Sequence, residues 1–109
     1  MKQRPKSLKS QTIKTKCGFG VLYVTISEDK DGKLFETFLH IGKSGGSIRA
    51  KAEAIGRLVS LCLRSGIDIK DVIKQLENIE GNHPVNYDGK LIKSMPDAFA
   101  WVLKEYLKE

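Results

Sequence analysis

The 109 residues predict an α+β domain, a small antiparallel sheet of two or three strands packed against three helices, in the order β-β-α-α-α. Three observations carry that reading. Residues 21–27 and 34–41 alternate apolar and polar side chains across a turn, as a hairpin does. Residues 47–65 repeat their apolar positions at helical spacing. Two further segments open with helix-capping residues, at Asp68 and at Ser94.

Taken in order, residues 1–10 contain Pro5, few apolar side chains and uniform positive charge, which predicts a mobile arm ahead of a single domain spanning 11–109. Gln11–Lys16 suits a short edge strand, because Thr and Ile fit the pleat and Lys discourages pairing with a stray partner. Gly18 and Gly20 interrupt the chain. In Val21–Ser27, Leu22, Val24 and Ile26 share one face and Val21, Tyr23 and Thr25 the other. Glu28–Gly32 makes the turn, and Leu34–Ile41 returns antiparallel.

Ile48, Ala52, Ile55, Val59 and Cys62 form the expected buried stripe of the long helix, with Arg49, Glu53, Arg57, Ser60 and Arg64 opposite. Gly66 supplies a left-handed stop. Asp68 then caps a shorter helix that buries Ile69, Val72, Ile73 and Leu76. Gly81, Pro84 and Asp88-Gly89 predict a loop over 79–93 with room for one short hairpin. Ser94 as N-cap and Pro96 in the first turn open the last helix, whose apolar face is Phe99, Val102, Leu103 and Tyr106. So small a sheet leaves an open edge, and self-association into a homo-oligomer is the expected remedy.

Composition excludes several classes. Apolar residues are 40% and charged residues 29% of the chain, which suits a folded domain. No apolar run reaches bilayer length, and the arm lacks the apolar segment of a secretory signal, so no membrane partner is expected. Two isolated thiols, Cys17 and Cys62, encode neither a disulfide framework nor a zinc site, and a reducing, cytoplasmic setting follows. The formal charge of +6 is concentrated: residues 1–16 hold six basic side chains and no acid, leaving 13 bases against 13 acids in residues 17–109. An excess so placed suits nucleic acid or an acidic partner, although the arm lacks the interleaved aromatics of a single-strand platform.

The most suggestive segment runs from His40 to Ser47, between a strand and the long helix. Gly42, Gly45 and Gly46 let backbone N–H groups approach a ligand, the helix start offers unpaired donors, and Lys43 and Arg49 add full charges. Lys43, Ser44, Gly45, Gly46, Ser47 and Arg49 are therefore the candidate oxyanion site, with His40 and Arg57 as its extension. The spacing is not that of a Walker loop, and an ordinary strand-to-helix turn capped by Ser47 accounts for the same residues. His40 and His83 have no triad-like neighbours, the carboxylates form no acid–base pair, and neither catalytic residues, cofactor nor metal ligands are assigned. Cys17, beside Lys16, is the one thiol with a charge that would favour its anion.

These residues together resemble the TSCPD domain family. The matching runs are Thr15–Gly18 with Leu22–Ile26, then Asp31-Gly32, Phe35-Glu36 and Phe38 in the hairpin, Gly42–Gly46, Glu53–Leu58, Ser60–Gly66, Ile73–Leu76 with Ile79, and the signature segment Lys93–Ala98. Met95 stands where that signature has its Cys, so no thiol acts at that position. Such domains occur alone or attached to ribonucleotide reductases, especially the cobalamin-dependent kind. The glycine loop with its flanking cations points to a non-catalytic module that binds a nucleotide or other phosphate-bearing small molecule, and the resemblance implies a ribonucleotide reductase setting for it. The alternative is a subunit that docks on a reductase or another enzyme through the basic arm.

Overall fold

A computed structural model describes residues 2–43 and 45–108. Three strands, β1 (Lys9–Cys17), β2 (Gly20–Glu28) and β3 (Leu34–Ile41), form an antiparallel meander in the order β1-β2-β3. Helices α1 (Gly46–Arg64) and α2 (Ile69–Leu76) follow, then a two-stranded hairpin of β4 (Val85–Tyr87) and β5 (Lys90–Ile92), then α3 (Met95–Lys108). The expected α+β layout is therefore present, with the edge strand two residues longer at its start and the 79–93 loop built around a real hairpin. Asp88 and Gly89 both take positive φ at its turn, as a tight hairpin requires. No described helix is long and apolar enough to cross a membrane.

The inner face of the sheet is the core. Leu22, Val24 and Ile26 of β2 are fully buried, Cys17 of β1 and Leu39 and Ile41 of β3 flank them, and Ala98, Phe99, Val102 and Leu103 of α3 cover them. Strand β3 departs from simple alternation. Ser27 faces Glu36 while Glu28 faces Leu34, so Phe35 is an extra residue, a β-bulge. That bulge lets Phe35, Glu36 and Thr37 be buried in succession.

Helix α1 lies along the edge of β3 that no strand pairs. Gly56 faces the strand backbone so closely that a Cβ there would sit 3.4 Å from Leu39 N, Phe38 Cα and Thr37 O. One turn on, Ser60 Oγ accepts from Thr37 N at 3.0 Å and donates to Thr37 O at 2.8 Å. The buried stripe is accordingly Ala52, Gly56, Val59, Ser60 and Leu63, rotated from the one expected. Ile48, Ile55 and Cys62 are half-buried. Ser60 moves from the solvent side to the interior because its hydroxyl satisfies a strand edge that water does not reach.

The signature segment is structural. Ser94 Oγ accepts from Asp97 N at 3.2 Å, the capping contact expected of it. Asp97 is buried, and its carboxylate accepts from Asn78 N at 2.8 Å and Lys93 N at 2.9 Å. One side chain thereby fastens the exit of α2, the exit of the hairpin and the entry of α3. The N-terminal residues also touch the body. Lys2 N donates to Arg64 O, the Arg64 guanidinium donates back to Lys2 O, and Arg4 Nε meets Glu36 Oε1 at 3.0 Å.

Ser60→Ala strands two buried backbone groups and is expected to cost about 1–3 kcal/mol in denaturant unfolding. Gly56→Val drives α1 off β3, with an expected loss of roughly 3 kcal/mol or more. Thr37→Val is the contrasting case, because the buried Thr37 Oγ1 has no hydrogen-bond partner. Unfolding midpoints should show it neutral or stabilised by about 1 kcal/mol, and a clear loss there would contradict the packing described.

Candidate functional site

A groove of about 830 Å³ runs between β3 and α1. Phe38 and His40 form its strand side, and Gly46, Arg49, Ala50, Glu53, Ala54 and Arg57 its helix side. The local cause is the close seat of α1 at Gly56, which brings the helix backbone beside the strand and leaves its next face overlooking the sheet. Alternation then does the rest: with Leu39 and Ile41 turned into the core, Phe38 and His40 point the other way.

Four of the residues expected from the sequence are thus brought together: His40, Gly46, Arg49 and Arg57 line one groove. Lys43 stands exposed in the preceding turn, in the left-handed region at φ 47°. Gly45 is the N-cap of α1, and Ser47 lies one residue inside the helix, exposed and outside the lining. The expected cap by Ser47 is therefore replaced by a glycine with no side-chain hydrogen bond, because Gly45 and not Ser47 holds the extended conformation before the first turn. Ser44 lies outside the described residues.

The charges are unevenly free. Arg57 is paired with Glu53 at 2.8 Å, one turn away on the same helix and exposed, a solvated pair of small energetic weight. Arg64, expected on the same basic face, is used elsewhere: it holds Lys2 O and stacks over Phe35 at 5.4 Å. Arg49 is the groove cation nearest the helix start. Its planar fork suits a carboxylate or phosphate.

Phe38 and Tyr23, read from the sequence only as strand residues, belong to the site as well. Phe38 is 45% exposed and Tyr23 38%, both on the outer face of the sheet. Tyr23 lies opposite His40, with ring centroids 6.4 Å apart, and its ring edge approaches Gly42. The turn at Glu28–Gly32 alone would set Tyr23 opposite Leu39; the bulge at Phe35 shifts the pairing by one residue and brings His40 opposite instead.

Little else suggests chemistry. Among the described residues no group of three or more His, Cys, Asp or Glu gathers to hold a metal. His83 packs edge-on against Phe19 at 5.8 Å. Cys17 corrects the expectation drawn from its neighbour Lys16. The thiol is 2% exposed, and burial raises its pKa against the opposing pull of hydrogen bonds from the backbone of Phe19 and Gly20.

The family model of the TSCPD domain matches residues 1–107, essentially the whole chain. No curated protein and no solved structure matches it.

Cys17 is expected to resist iodoacetamide and aromatic disulfides in the folded protein at neutral pH, and to react at an ordinary rate once unfolded. Its raised pKa also means that stability held at neutral pH falls as pH rises through the thiol range, where the unfolded chain loses its proton first. Mass mapping of alkylated peptides checks the first claim, and alkaline unfolding of Cys17→Ala beside the parent checks the second.

Proposed function

The chain belongs to the TSCPD domain family, and on that premise we propose that it is a non-catalytic module binding a nucleotide or other phosphate-bearing small molecule in the β3–α1 groove. One observation carries the reading: an aromatic ring and an imidazole on the strand face two guanidinium groups on the helix across a cleft that ends at an uncapped helix start. The volume suits a ligand of nucleotide size.

The parts divide by chemistry. Phe38 offers an apolar face to a base, and His40 a ring beside it. Arg49 supplies a bidentate fork to phosphate oxygens, and Lys43 a second charge from the turn. The N–H groups of Gly46 and Ser47, which receive no side-chain cap from the described residues, are donors aimed out of the helix, and the macrodipole adds partial positive charge there. Arg57 reaches the far end of the groove when it exchanges Glu53 for the ligand. His40 is the one imidazole of the groove and Glu53 is held by Arg57, so binding, and not turnover, is proposed. In a ribonucleotide reductase setting the ligand is a ribonucleotide or deoxyribonucleotide, and the module reports or presents it to a partner.

Thermal shift measurements with nucleoside mono-, di- and triphosphates test this. A ligand at a hundred times its Kd is expected to add about 2.7 kcal/mol of stability, roughly 10 °C or more in Tm for a domain of this size. Arg49→Ala and Gly45→Val should remove the shift without lowering the unliganded Tm by more than a few degrees, since a Cβ at Gly45 meets nothing within 4 Å. No shift with any nucleotide, or a shift that survives both substitutions, sinks the reading.

A further inference from the structure

We propose that the open face of the three-stranded sheet, continuous with the β3–α1 groove, binds single-stranded nucleic acid, the groove holding one nucleotide of the strand. The inference rests on the groove reading at one end only; the sheet face supports it separately.

Strand pairing lays the outer face out in rows. Lys14 stands opposite Tyr23, and Tyr23 opposite His40. In the next row Thr12, Thr25 and Phe38 lie side by side, with Thr12 and Thr25 hydroxyls 3.0 Å apart. Lys16 faces Val21 on the other flank. A face in which Tyr23 and Phe38 are each more than a third exposed is a stacking surface, since any base has a π face to offer.

The basic arm lacks aromatics along the chain, but the sheet interleaves them across it. Lys14 and Lys16 border the aromatics on the β1 side, and Arg49 and Arg57 border them on the α1 side. The carboxylates of the groove and of β3 are engaged: Glu53 with Arg57, and Glu36, buried at the covered end of the face, with Arg4. What is left open is a track of rings between two cationic rims, complementary to a chain of bases with phosphates on either side.

Two competing occupants fit less well. A duplex hides the faces of its bases, so the rings would have nothing to stack on. A second copy laid face to face would bring lysine and arginine rims against like charge. The arm closes the Ser27–Glu36 end, so the open platform is short, suited to two or three bases.

Fluorescence anisotropy with labelled oligo(dT) and oligo(U) of about 12 nucleotides, and a duplex of equal length, tests this on the full chain at about 50 mM salt. Single strands are expected to bind at least tenfold tighter than duplex. Phe38→Ala and Tyr23→Ala should each weaken them about tenfold, with far-ultraviolet circular dichroism confirming the fold. Lys14→Ala and Lys16→Ala should each reduce the log–log salt slope by about 0.7 and leave any mononucleotide thermal shift unchanged.

Mononucleotide shifts without oligonucleotide binding overturn this inference and leave the groove reading standing. Oligonucleotide binding without any mononucleotide shift does the reverse. Equal binding of duplex, unchanged affinity in both aromatic variants, or self-association dissolved by Phe38→Ala in place of nucleic-acid binding also overturns it.

Discussion

Strand β3 pairs with β2 along one side and has no strand along the other, and the molecule depends on how α1 meets that second side. A helix presents no ladder of donors and acceptors, so it protects a strand edge only where a side chain supplies what the ladder would. Ser60 does this with one hydroxyl for both polar groups of Thr37, and Gly56 permits the approach that puts it within reach. From that seat follow the orientation of α1, the rotation of its buried stripe toward Leu63, and the overhang of Arg49, Glu53 and Arg57 above the outer sheet face. The groove is thus a by-product of edge protection. Its walls are as rigid as the contact that created them.

The same logic explains which parts of the structure could be read from the chain. The inward residues of β2 and the caps at Asp68 and Ser94 are local matters, settled by alternation and by short-range hydrogen bonds, and they appear where expected. Ser60 could not be placed that way. A serine on a helix reads as solvent-facing until a strand with an unpaired edge stands beside it, and that strand is 23 residues away in sequence. The bulge at Phe35 hides in the same manner, because three consecutive buried residues break a period of two. Arg64 read as part of a basic helix face, yet a partner 62 positions distant claims it.

The candidate site divides along that line too. His40, Gly46, Arg49 and Arg57 were legible because a strand, a glycine turn and a helix are consecutive, so their relative placement is nearly local. The cap moved from Ser47 to Gly45 because helix ends are set by backbone angles that neighbouring small residues adopt almost equally well. Tyr23 and the lysines of β1 needed the register of two hairpins before they could be seen as one surface with Phe38. Asp97 makes a similar point within the signature segment. Its place in the first turn of α3 suggests a role at that helix start, whereas its carboxylate gathers two backbone donors from other elements, which accounts for its burial.

Helix α3 is the last element of the chain and also the cover over the first elements: Phe99 and Leu103 close the inner face of the meander, and Tyr106 reaches Glu28 across 78 residues. During synthesis from the N-terminus, β1, β2 and β3 can pair as local hairpins well before that cover leaves the ribosome. For that interval Leu22, Val24 and Ile26 form an uncovered apolar sheet. The domain therefore has a sticky nascent state that lasts until α3 is free to close over the meander.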